Sequence, residues 1–176
     1  MNSKLISPRL LVLCAMIAAA AFTRLIPHLP NFTAIGAMAL FGGAYFTNKK
    51  LAFAIPLVAM FLTDLILGFH STILSVYFAF ALMVVVGMTM IQKKKVSNIA
   101  LASLTAAVMF FLITNFAFWM TDVLYPMTGA GLAACYTAAL PFFGYTLAGN
   151  LFYAGVMFGL FELAKVKYPQ LVPVKS

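Results

Sequence analysis

Charge is what this chain most lacks. Of its 176 residues only 8% are charged, and three are acidic. A water-soluble domain carries about 25% charged residues. The deficit excludes a soluble surface, and the chain reads as an integral membrane protein. Cysteine is nearly absent: Cys14 and Cys135 are the pair. Both lie in apolar runs that the expected topology sends to opposite ends, so no disulfide is expected. There is no GxSxG, no HExxH and no glycine-rich phosphate loop, which removes the usual grounds for an enzyme or an ATPase. Nor is there an HxxxH or CxxC spacing that would announce a metal site.

What the chain has is apolar length. Hydrophobic residues make up 65% of it, broken into runs near the ~20 residues that a spanning helix needs. The expected fold class is all-α: a single membrane domain over 1–176, with six transmembrane helices at about 8–26, 33–46, 51–69, 73–91, 99–120 and 142–164. Residues 131–165 are too long for one span, so the run is divided at Pro141, giving an extra short interfacial helix at 132–140. Lys4 and Arg9 followed by an apolar core have the outline of a signal peptide. The long run and the missing cleavage motif favour a first membrane helix. Gly36, Gly42 and Gly43 point to close helix approach in the second span. Pro56 marks a kink in the third.

The net charge of +8 comes in clusters between apolar runs, which reads as topology and not as a nucleic-acid surface. Lys4, Arg9, Lys49, Lys50, Lys93, Lys94, Lys95, Lys165, Lys167 and Lys175 all fall on the side of the termini. Arg24 alone falls on the other. By the positive-inside rule the N and C termini are expected to be cytoplasmic.

The opposite side collects polar groups. Arg24, His28, Asn31 and Phe32 lie in a short break stiffened by Pro27 and Pro30. Asp64 sits near the end of the third span and His70 just beyond it. Asn115, Trp119, Tyr125 and Tyr136 flank the fifth span and the loop after it. An ionisable residue within a span costs on the order of 3 kcal/mol unless paired or hydrated, so Asp64 is expected to pair with Arg24 or to face a wet cavity with it. A structural ion pair and a ligand contact are equally consistent with that cost. Arg24 suits an anionic group. His28 and His70 are read as hydrogen-bonding groups, with no metal and no cofactor expected. Asn150, midway along the sixth span, reads as interhelical glue. The eleven methionines read as core filler.

The stretches RLIPHLPNF (24–32), GAMALFGGAYF (36–46), DLILGFH (64–70), TNFAFW (114–119) and YPMTGAGLAACYTAALPFF (125–143) resemble a family of small uncharacterised bacterial membrane proteins. That family is similar in size and span number to the substrate-binding S components of energy-coupling factor (ECF) transporters. The resemblance implies a vitamin or metal ion bound at an outer pocket. It also implies small residues at AxxxA spacing on the first helix, facing a transmembrane coupling protein that works with ATPase subunits. Ala15 and Ala19 match that spacing. The resulting expectation is a non-enzymatic micronutrient-uptake subunit whose partners are the small solute, the coupling protein with its ATPases, and the lipid bilayer. Three other classes stay open. One is a structural or assembly protein of the envelope. Another is a metal-ion binder using His28 and His70 with a third ligand such as Cys135 or Asp64. The last is a membrane enzyme acting on a lipid head group through Asp64 and His70.

Overall fold

A computed structural model describes residues 7–172, so Lys4 and Lys175 lie outside the described residues. Among those described there are six α-helices: α1 (Pro8–Phe22), α2 (Ile35–Tyr45), α3 (Lys49–Leu67), α4 (Ile73–Met90), α5 (Val96–Thr121) and α6 (Gly129–Lys167). A 3-10 turn, Thr23–Leu25, prolongs α1, and another, Pro169–Leu171, follows α6. The all-α expectation holds. Local chemistry sets several boundaries. The Ser7 hydroxyl accepts from the Leu10 N–H, and Pro8 opens α1 where its missing N–H costs nothing. Asn48 caps α3 by accepting from the Lys50 N–H. Gly68, at φ 90°, ends α3 in a conformation that side chains resist.

Five of these helices, α1 with its 3-10 extension and α3 to α6, are long and apolar enough to cross a membrane. The second expected span is different. At 11 residues, α2 rises about 16 Å at ~1.5 Å per residue, half of a ~30 Å hydrocarbon layer. It is the pillar of the bundle: nine of its residues, Gly36 to Gly43 and Tyr45, are buried. Its closest neighbour is α4. A Cβ on Gly43 would lie 2.2 Å from the Val84 carbonyl oxygen, and one on Gly87 would lie 2.4 Å from that of Leu40. Only glycine permits this approach of the two backbones.

The division at Pro141 is corrected. Helix α6 runs unbroken for 39 residues with Pro141 inside it. A proline removes one helical hydrogen bond and favours a kink, but packing on α5 holds the two halves in one element. The Tyr136 hydroxyl donates to the Leu112 carbonyl at 2.7 Å. The Phe111 ring meets Tyr136 at 5.4 Å and Phe143 at 5.3 Å, one on each side of the proline. A helix longer than the bilayer tilts or extends past it, so length alone did not require a break.

The bundle has two unlike ends. At the lysine end, α2 delivers Tyr45 into a polar knot. Its hydroxyl donates to the Glu162 carboxylate, which also receives Lys165 at 2.6 Å. Arg9 donates to the carbonyls of Tyr45 at 2.9 Å and Leu171 at 2.6 Å. Lys94 donates to the Ile91 carbonyl at 2.8 Å and lies 5.2 Å from the centre of the Tyr45 ring. Burial there pushes the Lys94 ammonium below the usual lysine range, with Glu162 opposing the shift. Below this knot the core is apolar and filled by Phe41, Phe80, Phe161, Met38 and Met83. At the other end α2 has already stopped.

Candidate functional site

Because α2 is short, the chain from Ile26 to Ala34 must descend into the bundle to meet it. Its lowest part reaches the middle of α6. A Cβ on Gly149 would sit 3.0 Å from the Thr33 nitrogen and 3.2 Å from the Phe32 Cα. Non-helical backbone at this depth is tolerated where it is buried in protein or lines a wet cavity. Here Ala34 is buried, Phe32 and Thr33 are half-buried, and Asn31 and Thr33 line a cavity. Phe32 anchors the descent by packing on Phe152 and Tyr153 of α6, with ring centres 5.8 and 5.9 Å away. Asn31 adopts φ 61°, a left-handed conformation that asparagine accepts better than most residues. The Thr33 N–H closes the turn on the Asn31 carbonyl at 3.1 Å.

Above the short helix lies a cavity of about 540 Å³. The break after α1 supplies Arg24, His28, Asn31 and Thr33, and the α3–α4 turn supplies His70 and Thr72. One face of α5 contributes Phe110, Phe111, Thr114, Asn115 and Phe118. Ala139, Phe142, Phe143 and Thr146 of α6 close the far wall. Both sets recur at three- and four-residue intervals, which places each on one side of its helix.

The polar atoms of this wall divide by helix. On α5 and α6 the donors turn back onto their own backbones. Thr114 donates to the Phe110 carbonyl at 2.8 Å, Asn115 to that of Phe111 at 2.8 Å, and Thr146 to that of Phe142 at 3.0 Å. The two threonines keep only acceptor capacity, and Asn115 keeps its carbonyl oxygen and one N–H. Arg24 is the main donor on the facing wall, but its charge is committed. It bonds Asp64 at 2.6 Å, the Thr63 hydroxyl at 2.5 Å and the Met60 carbonyl at 3.4 Å. The second Asp64 oxygen accepts from the Tyr77 hydroxyl at 2.8 Å. Asp64 is 3% exposed and stands behind Arg24, away from the cavity wall.

Of the site residues read from the sequence, Arg24, His28, Asn31, His70 and Asn115 share the cavity. The others are seated elsewhere. Asp64 holds Arg24, and Phe32 holds the descending segment. Trp119 donates its indole N–H to the Pro126 carbonyl at 3.0 Å, Tyr125 packs on Phe118, and Tyr136 bonds Leu112, so all three tie the α5–α6 hairpin together. Ala15 and Ala19 are exposed along α1. Beside them an apolar groove of about 520 Å³ runs between α1 and α3, lined by Cys14, Ala18, Ala21, Ala54 and Ala59 among others. Among the described residues, no three His, Cys, Asp or Glu side chains gather as metal ligands. His28 turns Nδ1 toward the Leu29 carbonyl at 2.9 Å, and His70 turns Nδ1 toward the Thr72 hydroxyl at 3.1 Å.

The threonines and the phenylalanine wall were not singled out from the sequence. The available signal was the pairing of polar and aromatic residues within one helical turn, as in Phe110-Phe111 with Thr114-Asn115 and Phe142-Phe143 with Thr146. The knot of Arg9, Tyr45 and Glu162 was also missed, because its members are far apart in the chain.

No curated protein and no solved structure matches this chain. One family model does, over residues 4–171. That match covers nearly the whole sequence, and the chain belongs to the family of unknown function DUF6580.

Proposed function

We propose that this protein is the solute-binding subunit of a micronutrient uptake system, similar to the S components of ECF transporters. It captures a vitamin-like molecule in the cavity above α2. The observation that carries this reading is the 540 Å³ hollow with a polar and aromatic lining at the end of the bundle away from the lysine knot. Binding sites of drug-sized and cofactor-sized molecules have volumes of roughly 300–1,000 Å³ and a mainly apolar wall with a few placed polar groups. The lysines occupy the opposite end, so by the positive-inside rule the cavity opens away from the cytoplasm of a bacterial inner membrane.

The phenylalanines of α5 and α6 hold the flat body of the solute. Asn115, Thr114 and Thr146 accept hydrogen bonds from it. Arg24 retains two N–H groups for it, since three of its five donors go to α3. The ion pair with Asp64 cancels the guanidinium charge locally, which moves the reading away from an anionic solute. The chain carries no nucleotide-binding motif, so release on the cytoplasmic side is assigned to a membrane coupling protein with ATPase subunits. The exposed Ala15 and Ala19 face and the groove beside it are where that partner docks.

A thermal-shift screen of the purified protein against vitamins and metal ions tests the reading. A bound solute stabilises the fold by RT ln(1 + [L]/Kd), about 2.7 kcal/mol at a hundredfold excess over Kd. The stabilisation is expected for one organic solute in wild type and is expected to vanish in Asn115→Ala. No stabilisation by any compound overturns the proposal. A role in envelope assembly has one observation in its favour, the commitment of Arg24 to α3. It would leave the screen silent while Arg24→Ala disrupts the fold.

A further inference from the structure

Beneath the main cavity lies a smaller well of about 60 Å³. It shares Asn31, Thr33 and Thr146 with the space above and ends on Asn150 and Gly36. No charged side chain lines it. Its floor holds polar groups that the protein leaves unsatisfied. Asn150 is 2% exposed. Its Nδ2 makes one long donation, 3.4 Å, to the Ser103 carbonyl, and no donor among the described residues reaches its Oδ1. That oxygen lies against Gly36, where a Cβ would stand 2.2 Å from it. Helix α2 begins here with Ala34 at its N-cap and no capping side chain. The N–H groups of Ile35 and Gly36, at the edge of the well, find no acceptor among the described residues. Buried polar groups are nearly always paired, so several left open around one hollow point to a missing partner.

We propose that this well is the specificity subsite of the cavity, and that it takes a neutral group which both donates and accepts hydrogen bonds. A carboxamide, or the lactam edge of a heterocycle, has that chemistry. The inference rests on the cavity binding a solute, as argued above, and narrows the class of solute. The first N–H groups of α2 and their helix dipole bind the carbonyl oxygen of the group. Asn150 Oδ1 and the Thr146 hydroxyl oxygen, whose own proton goes to Phe142, receive its N–H. A carboxylate placed here would satisfy the α2 donors but would face the Asn150 and Thr146 acceptors with no proton to give and no cation beside it. The flat remainder of the molecule then lies upward between the phenylalanines of α5 and α6.

Three probes of one shape test this: 2-naphthamide, 2-naphthoate and 2-methylnaphthalene. Each is titrated into the purified full-length chain, with Kd read from thermal shift. 2-Naphthamide is expected to bind at least tenfold tighter than the other two. Asn150→Leu and Thr146→Val are each expected to bring it within about threefold of 2-methylnaphthalene, whose own affinity stays unchanged. Thr146→Val keeps the test open if Asn150→Leu does not fold, because the lost hydroxyl bonds only its own helix. Equal binding of naphthamide and naphthoate overturns the proposal, as does an amide preference that survives in both variants. Failure of all three probes alongside a positive vitamin screen overturns the well alone. Failure of both experiments overturns the binding reading with it.

Discussion

At the lysine end, polar groups bond across helices: Tyr45 of α2 to Glu162 of α6, Arg9 of α1 to the Tyr45 and Leu171 carbonyls. At the cavity end, Thr114, Asn115 and Thr146 bond within their own helices and hold nothing together. The first pattern knits α1, α2 and α6 into one closed unit. The second leaves the cavity faces of α5 and α6 opposite Arg24, His28 and His70 across open space. Groups that fix a fold bond each other, and groups kept for something else satisfy a single valence locally and leave the rest free. The Arg24–Asp64 pair belongs with the first kind although it stands at the second end. It is the strut that ties the Arg24 wall of the cavity to α3.

Each part of this contrast can be broken separately. Asp64→Leu should have the largest effect. It leaves the Arg24 guanidinium with an 11% exposed side chain and no counter-charge. Removing one partner of a buried pair costs about 3–5 kcal/mol. The double variant Arg24→Met/Asp64→Leu should recover most of the loss, as read by thermal unfolding in detergent. Recovery of nothing would mean that Arg24 and Asp64 act independently.

A smaller effect is expected at the packed crossing of α2 and α4. Gly87→Ala places a methyl group 2.4 Å from the Leu40 carbonyl oxygen and should cost about 1–3 kcal/mol by overpacking. Gly159→Ala meets nothing within 4 Å, and should instead gain up to ~1 kcal/mol from helix propensity. Opposite signs at two glycines of one bundle would establish that the α2 contact is steric.

The smallest change in stability belongs to the cavity wall. Thr114→Val removes a hydroxyl that bonds only the Phe110 carbonyl. It should alter stability by less than about 0.5 kcal/mol, while weakening any solute bound there. A large loss of stability would place Thr114 among the groups that hold the fold.

Much of this architecture was legible in the sequence, and the gaps have physical causes. The apolar runs gave α1, α3, α4 and α5 to within a few residues, since a spanning helix declares itself by length and hydropathy. Pro141 misled because a proline within an apolar run is compatible with both a break and a continuous helix. Only the contacts of Tyr136 and Phe143 with α5 decide between them. The Arg24–Asp64 pair was legible because an intramembrane carboxylate demands a partner and one cation lay at its depth. Trp119, Tyr125 and Tyr136 were drawn toward the site because aromatic residues with a polar tip suit both an interface and a pocket. Each found a backbone carbonyl or a ring in its own hairpin. The well at Asn150 was invisible, since it exists only because α2 stops short and Gly36 leaves room.

The central claim is that the hollow above α2 is open to water on the side away from the cytoplasm. In a chain with Cys14→Ala and Cys135→Ala, a single Thr114→Cys reports on this directly through a membrane-impermeant maleimide added to intact cells. Ala39→Cys, in the packed half, serves as control. The expected result is labelling of Thr114→Cys from outside, slowed by a bound solute, with Ala39→Cys unlabelled. Labelling of Thr114→Cys only after the cells are lysed would contradict the claim.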